Sequence, residues 1–162
     1  MKESSIEIIW EGPLTVEQVI NLKNDAGRSP HWEGEDYGLY QIYAEHILSR
    51  SDTLVYVGKA VEQTFAQRFR QHAKDWLKNE KDVQIFLGRI NGPRYSRDDL
   101  WQSWKDDVGM AEKILIYKYT PNYNSSEKGD YPKLKLFQRV KLTSQGNRHR
   151  LHRIDIAPDD YK

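Results

Sequence analysis

The residues of this chain whose types and spacing could handle a phosphate are two tyrosines in extended segments, an arginine and a histidine one helical turn apart, and a lysine between them. Tyr40 lies in Gly38-Leu39-Tyr40-Gln41-Ile42-Tyr43 and Tyr56 in Leu54-Val55-Tyr56-Val57. Both segments are rich in β-branched and aromatic residues, and a polar connection containing Ser49, Ser51 and Asp52 separates them, so they read as two antiparallel strands. Alternation of side chains puts Tyr40 on a face with Ile42, and Tyr56 with Leu54 and Gly58; a suitable register brings the two phenols together. Arg68 and His72, four apart, share a helical face. A guanidinium forks onto phosphoryl oxygens, and a phenol or imidazole can take a proton from water when its surroundings lower its pKa. Lys59 could contact phosphate, assist a tyrosine or simply be solvated. A strand tyrosine is ordinarily a core or interface residue, and this chain has 10 tyrosines in all.

The elements that must position these groups follow from local pattern. Gly58 ends the second strand where the backbone turns closely toward the next element. Thr64 with Gln67 forms a capping box for a helix whose buried stripe is Phe65, Phe69, Ala73, Trp76 and Leu77. Arg68 is favoured over Arg70, which lies on a different face. Upstream, residues 5–10 alternate as a short strand closed by Gly12-Pro13, and Thr15 caps a helix reaching roughly Lys23. Residues 24–36 are loop by composition, with Trp32 read as packed beside an exposed His31. Downstream, a charged turn at 79–82 precedes a third strand, Val83 to Ile90. Ser96 caps a helix carrying Leu100, Trp101, Trp104, Val108, Ala111 and Leu115, with Gly109 as a point where it could split in two. Glu112, next to Ala111, can project to a cleft wall; a solvated glutamate paired with a lysine is the alternative.

Taken in order, Gly38-Leu39-Tyr40, Tyr56-Val57-Gly58, Arg68 with His72, Glu112 in Ala-Glu-Lys-Ile-Leu-Ile-Tyr and Asn124 in Thr-Pro-Asn-Tyr-Asn resemble the motifs of the GIY-YIG nuclease superfamily. The segments Tyr56 to Lys59, Pro121 to Asn124 and Asp130-Tyr131-Pro132 look most like the N-terminal nuclease domain of the bacterial excision-repair incision subunit. Any one tripeptide is worth little, whereas five elements in order over residues 38–124 make a specific pattern. The interval from Tyr40 to Tyr56 is longer than in compact members, implying an extended hairpin loop.

The resemblance implies a divalent-metal-dependent endonuclease that hydrolyses phosphodiesters of nucleic acid, most readily DNA with RNA open, leaving 5′-phosphate and 3′-hydroxyl ends. Glu112 would hold one Mg²⁺ or Mn²⁺ through a carboxylate and waters. Arg68 would neutralise the phosphorane, and Tyr40 or Tyr56 would activate or position water with help from Lys59 or His72. Asn124 would brace the metal side; by type alone it is a turn residue after a proline. From another class, the alternative is a nucleic-acid-binding or scaffold domain without catalysis.

Composition bounds the rest. The chain's 162 residues suit one domain with a real core. That domain is expected to be α/β (α+β), with a central antiparallel sheet of about three strands flanked by helices. Residues 37–132 would form its core, with an N-terminal strand and helix at 1–36 and a basic hairpin at 133–162. The hairpin is expected to turn at Ser144-Gln145-Gly146-Asn147, between a strand through Leu142 and one at Leu151 to Ile154. The net charge of +1 announces no polyanionic partner, so a basic surface must be local. It is expected in the C-terminal segment, where Lys133, Lys135, Arg139, Lys141, Arg148, Arg150 and Arg153 occur with no acid between them. Such a segment suits phosphate contacts, or equally a charged sheet edge. With no cysteine there are no disulfides, thiolate nucleophiles or Cys-based metal sites. Without a signal peptide or membrane span, the expectation is a soluble cytoplasmic protein, its oligomeric state open to a homodimer.

Overall fold

The computed structural model describes residues 2–22, 37–48, 50–90, 101–124 and 138–157. In chain order the elements are β1 (Lys2–Leu14), α1 (Val16–Ile20), β2 (Gly38–His46), β3 (Arg50–Ala60), α2 (Phe65–Lys74), β4 (Gln84–Ile90), α3 (Trp101–Tyr119), β5 (Gln138–Gly146) and β6 (Ile154–Ala157). The strands form one sheet in the order β3-β2-β4-β1-β5-β6. The fold is mixed α+β, as expected, but the sheet has six strands rather than about three. Nor is it wholly antiparallel, because β1 pairs β5 in parallel.

The N-terminal segment accounts for much of that difference. Expected as a short strand on the margin, β1 runs between β4 and β5, with Ile8 opposite Ile90 on one side and Ser144 on the other. Its alternate residues Ile6, Ile8 and Trp10 are buried in the core. Pairing across such sequence distances leaves no local signal.

The two faces of the sheet carry different cores. On one, Tyr40, Ile42, Ile85 and Leu87 pack against Val19 of α1, Phe65 and Phe69 of α2, and Leu77. Each fully buried side chain of this size contributes roughly 1.5–3 kcal/mol. On the other, Ile6, Ile8, Trp10, Tyr43, Val57 and Phe86 meet Trp104, Val108, Ala111, Ile114 and Leu115 of α3. The expected capping box of Thr64 with Gln67 forms, and Thr15, expected as a cap, forms one too with Gln18. The third helix runs unbroken through Gly109 to Tyr119.

The first hairpin departs from expectation too. Its additional length is strand rather than loop, since β2 continues to His46 and β3 begins at Arg50, with Ile47 and Leu48 exposed at the tip. At the C-terminus β5 extends through the expected turn to Gly146 and β6 starts only at Ile154, so 147–153 form a connection. That connection folds over the α3 face, where His149 stacks on Phe86 at 4.7 Å and meets Tyr43 edge-on at 4.5 Å. His31, Trp32, Ser96, Asp130 to Pro132, Lys133, Lys135 and the strand start expected before Gln138 lie outside the described residues. Among those described, no helix is long and apolar enough to cross a membrane.

Candidate active site

The register of β2 and β3 sets Tyr40 opposite Gly58 and Ile42 opposite Tyr56. The two phenol rings consequently stack, with centroids 6.0 Å apart and planes at 22°. Gly58 lies inside β3 rather than at its end, and its role is steric: a Cβ there would overlap the Tyr40 ring. The register then slips by one residue, because Tyr43 pairs Leu54 and leaves Val55 unpaired as a bulge. Val55 and Tyr56 accordingly both face α2, whereas Leu54 packs against the α3 core and does not share the Tyr56 face as alternation predicted.

Behind the rings lies a buried relay. Tyr40 is fully buried and its hydroxyl is 2.8 Å from Nε2 of His72, itself 7% exposed. Trp76 donates its indole N–H to His72 Nδ1 at 3.1 Å. Because indole nitrogen can only donate, Nδ1 must accept, so the proton of the neutral imidazole sits on Nε2 and points at the Tyr40 oxygen. Burial, and after it the charge of Arg68, push the His72 pKa down to about 4, which agrees with that neutral form. Arg68 Nε donates to the same oxygen at 3.4 Å. Burial opposes the Arg68 charge, yet the hydrogen bond to Tyr40 and the proximity of both phenols hold its pKa above the usual value. Burial and then the nearby Tyr56 push the Tyr40 phenol well above the usual tyrosine range.

Tyr56, in contrast, opens onto a cleft of about 330 Å³ that it lines together with Lys59, Glu62, Gln63, Arg68 and Glu112. Lys59 Nζ lies 3.6 Å from Glu112 Oε1, with the lysine side chain 38% and the glutamate 18% exposed. A Cβ at Gly109 would stand 3.6 Å from Lys59 Nζ, an ordinary contact, so the lysine head reaches the turn of α3 before Glu112 without requiring a glycine there. Four side chains from β3, α2 and α3 thus converge at the outer edge of the sheet.

Asn124 bonds to the strand that carries Tyr56. Its Oδ1 accepts from the Val57 N–H and its Nδ2 donates to the Val57 carbonyl, both at 2.9 Å. The N–H of Tyr123 adds a bond to the Val55 carbonyl at 2.8 Å. Together they act as a short partner for the edge strand that carries Tyr56. Arg70 instead ties α2 to α1, donating to the Ile20 carbonyl at 3.2 Å.

The described residues of the basic segment do not line the cleft. Arg139 is 4.0 Å from Glu3, and Arg148 Nε donates to the Leu151 carbonyl at 3.1 Å. Arg150 pairs with Asp52 at 3.1 Å; Lys141 is half-buried and Arg153 exposed. Among the described residues no group of three or more His, Cys, Asp or Glu could enclose a metal ion. A single carboxylate fits a hard cation that keeps most of its waters, and Glu112 at the cleft wall is the residue that could hold one. Sequence pattern overlooked Trp76 as a partner of His72, although their four-residue spacing was the available signal. Nor did it single out Tyr123, whose ring stands 39% exposed.

Comparison of the chain with protein-family models, with curated proteins and with solved structures returned no match.

Proposed function

We propose that this protein is a divalent-metal-dependent nuclease of the GIY-YIG type, hydrolysing phosphodiesters of nucleic acid, DNA in the first place. The observation that carries this reading is the convergence of Tyr56, Lys59, Arg68 and Glu112 on one cleft from three separate elements. Arg68, anchored on the buried Tyr40, presents its guanidinium to the phosphoryl oxygens where charge grows during attack. Tyr56 is the phenol open to the cleft, which favours it over the enclosed Tyr40 as the group that orients the attacking water. Lys59 stands where it can stabilise a Tyr56 phenolate or contact the phosphate. Glu112 would hold Mg²⁺ or Mn²⁺, which when bound supplies charge stabilisation at the leaving 3′ oxygen. Water adds to phosphorus, the P–O3′ bond breaks, and the products carry a 5′-phosphate and a 3′-hydroxyl.

The test is nicking of supercoiled plasmid and of labelled DNA and RNA strands, with Mg²⁺ or Mn²⁺ and with EDTA. The wild type should cut only with metal, and Glu112→Gln, Arg68→Ala and Tyr56→Phe should each lose at least about 100-fold in rate while remaining folded. Retained cutting by Glu112→Gln would refute the assignment. The reading as a binding domain without catalysis draws on the Lys59 ammonium already facing Glu112. It predicts binding without EDTA-sensitive products.

A further inference from the structure

Beside the cleft, sharing the Tyr56 ring as a wall, lies a second recess that the proposed chemistry does not use. It measures about 460 Å³ and is lined by Tyr56, Trp76, Tyr123 and Glu80. That volume is within the roughly 300–1,000 Å³ of small-molecule sites. Trp76 stands 5.6 Å from Tyr56 at 48° and 5.5 Å from Tyr123 at 82°, so the walls are aromatic and set at differing angles. The indole N–H is already engaged by His72, and the Tyr123 hydroxyl donates to Glu80 at 3.3 Å. The recess therefore offers ring surface, plus one carboxylate.

Those two features select a ligand. A carboxylate repels a second phosphate, so this recess does not continue the phosphate track. Aromatic walls take a flat heterocycle, and a carboxylate accepts a hydrogen bond from an amino group on its edge. We infer that the recess formed by Tyr56, Trp76, Tyr123 and Glu80 receives an unstacked nucleobase bearing an exocyclic amino group, next to the phosphate being cut. The inference rests on the nuclease reading of the adjoining cleft and specifies its substrate: single-stranded or locally opened nucleic acid, with cytosine favoured over thymine at this position. A base inside a duplex would first have to leave the stack.

Fluorescence anisotropy in EDTA tests the recess without cleavage, using labelled oligo-dC, oligo-dT and an abasic deoxyribose-phosphate oligomer of equal length. Oligo-dC should bind wild-type protein roughly tenfold more tightly than the abasic strand, the scale of one stacked base, and several-fold more tightly than oligo-dT. Tyr123→Ala, which keeps its backbone bond to Val55, should erase most of the advantage over the abasic strand while leaving abasic affinity in place. Glu80→Gln should bring oligo-dC and oligo-dT together. Equal wild-type affinity for oligo-dC and the abasic strand, or an advantage unchanged in Tyr123→Ala, overturns the inference. Metal-dependent cutting with no base preference removes the recess and leaves the nuclease. Base preference without cutting removes the nuclease and leaves the recess, and absence of all nucleic-acid binding removes both.

Discussion

At His72 a single proton decides what the buried relay can do. The Trp76 indole fixes the tautomer, so His72 and Arg68 both donate into the Tyr40 oxygen, and the imidazole cannot take a proton without breaking the bond from Trp76. The folded-state pKa of about 4 lies below the ordinary value of 6.5. Folding thus favours the neutral ring, and the contribution is complete above pH 6.5, erodes as pH falls, and is lost on passing through pH 4. Its size, reduced for screening beside an open cleft, is about 2 kcal/mol. Urea unfolding at pH 7 and pH 4.5 should show wild-type protein losing more stability than His72→Gln, which is less stable at pH 7 and lacks the titrating group. Equal losses would place the acid sensitivity elsewhere. The sequence made His72, Arg68 and the two tyrosines legible as a group because their spacing is local. The tautomer depends on Trp76 and could be assigned only from the contact.

The element on which the site depends is β3, an edge strand whose outer backbone groups need partners. Asn124 supplies both for Val57, and so fixes the backbone between Tyr56 and Gly58. Asn124→Ala would leave a buried N–H and carbonyl unpaired and should cost about 1–3 kcal/mol. Asn124→Asp should fare no better, since one carboxylate oxygen can still accept from Val57 N–H while the other meets the Val57 carbonyl. If Asn124 positions the strand, both variants should lower kcat on a nicking substrate with little change in KM. A pure rise in KM would instead assign Asn124 to substrate binding. Capping boxes, the hairpin and the strand at β4 could all be read from sequence, being governed by neighbours a few residues away. The Val55 bulge could not, because slipping by one residue depends on which partner each side chain meets across the sheet.

For the whole molecule the question is where a nucleic acid would lie. Asp52 at the start of β3 grips His149 at 2.9 Å and Arg150 at 3.1 Å, joining the connection before β6 to the first hairpin across the sheet. Burial works against the Asp52 carboxylate, but the bonds from His149 and Arg150 outweigh it and lower its pKa. Lys59 stands seven residues further along β3, roughly 20 Å away at about 3.3 Å per residue. Charge counting along the sequence placed Arg150 among the phosphate contacts, since it cannot see that Asp52, about a hundred residues earlier, is its neighbour in space. Arg150→Ala should therefore act on stability, lowering it by up to about 1 kcal/mol or 2–4 °C in Tm. It should leave the salt dependence of oligonucleotide binding intact. Lys59→Ala, at the cleft, should reduce the slope of log K against log salt by about 0.7 for a single strand or 0.9 for a duplex. Were the slope to fall for Arg150→Ala and hold for Lys59→Ala, the nucleic acid would run over the connection between β5 and β6, and the cleft at the edge of β3 would lose its claim to the phosphate.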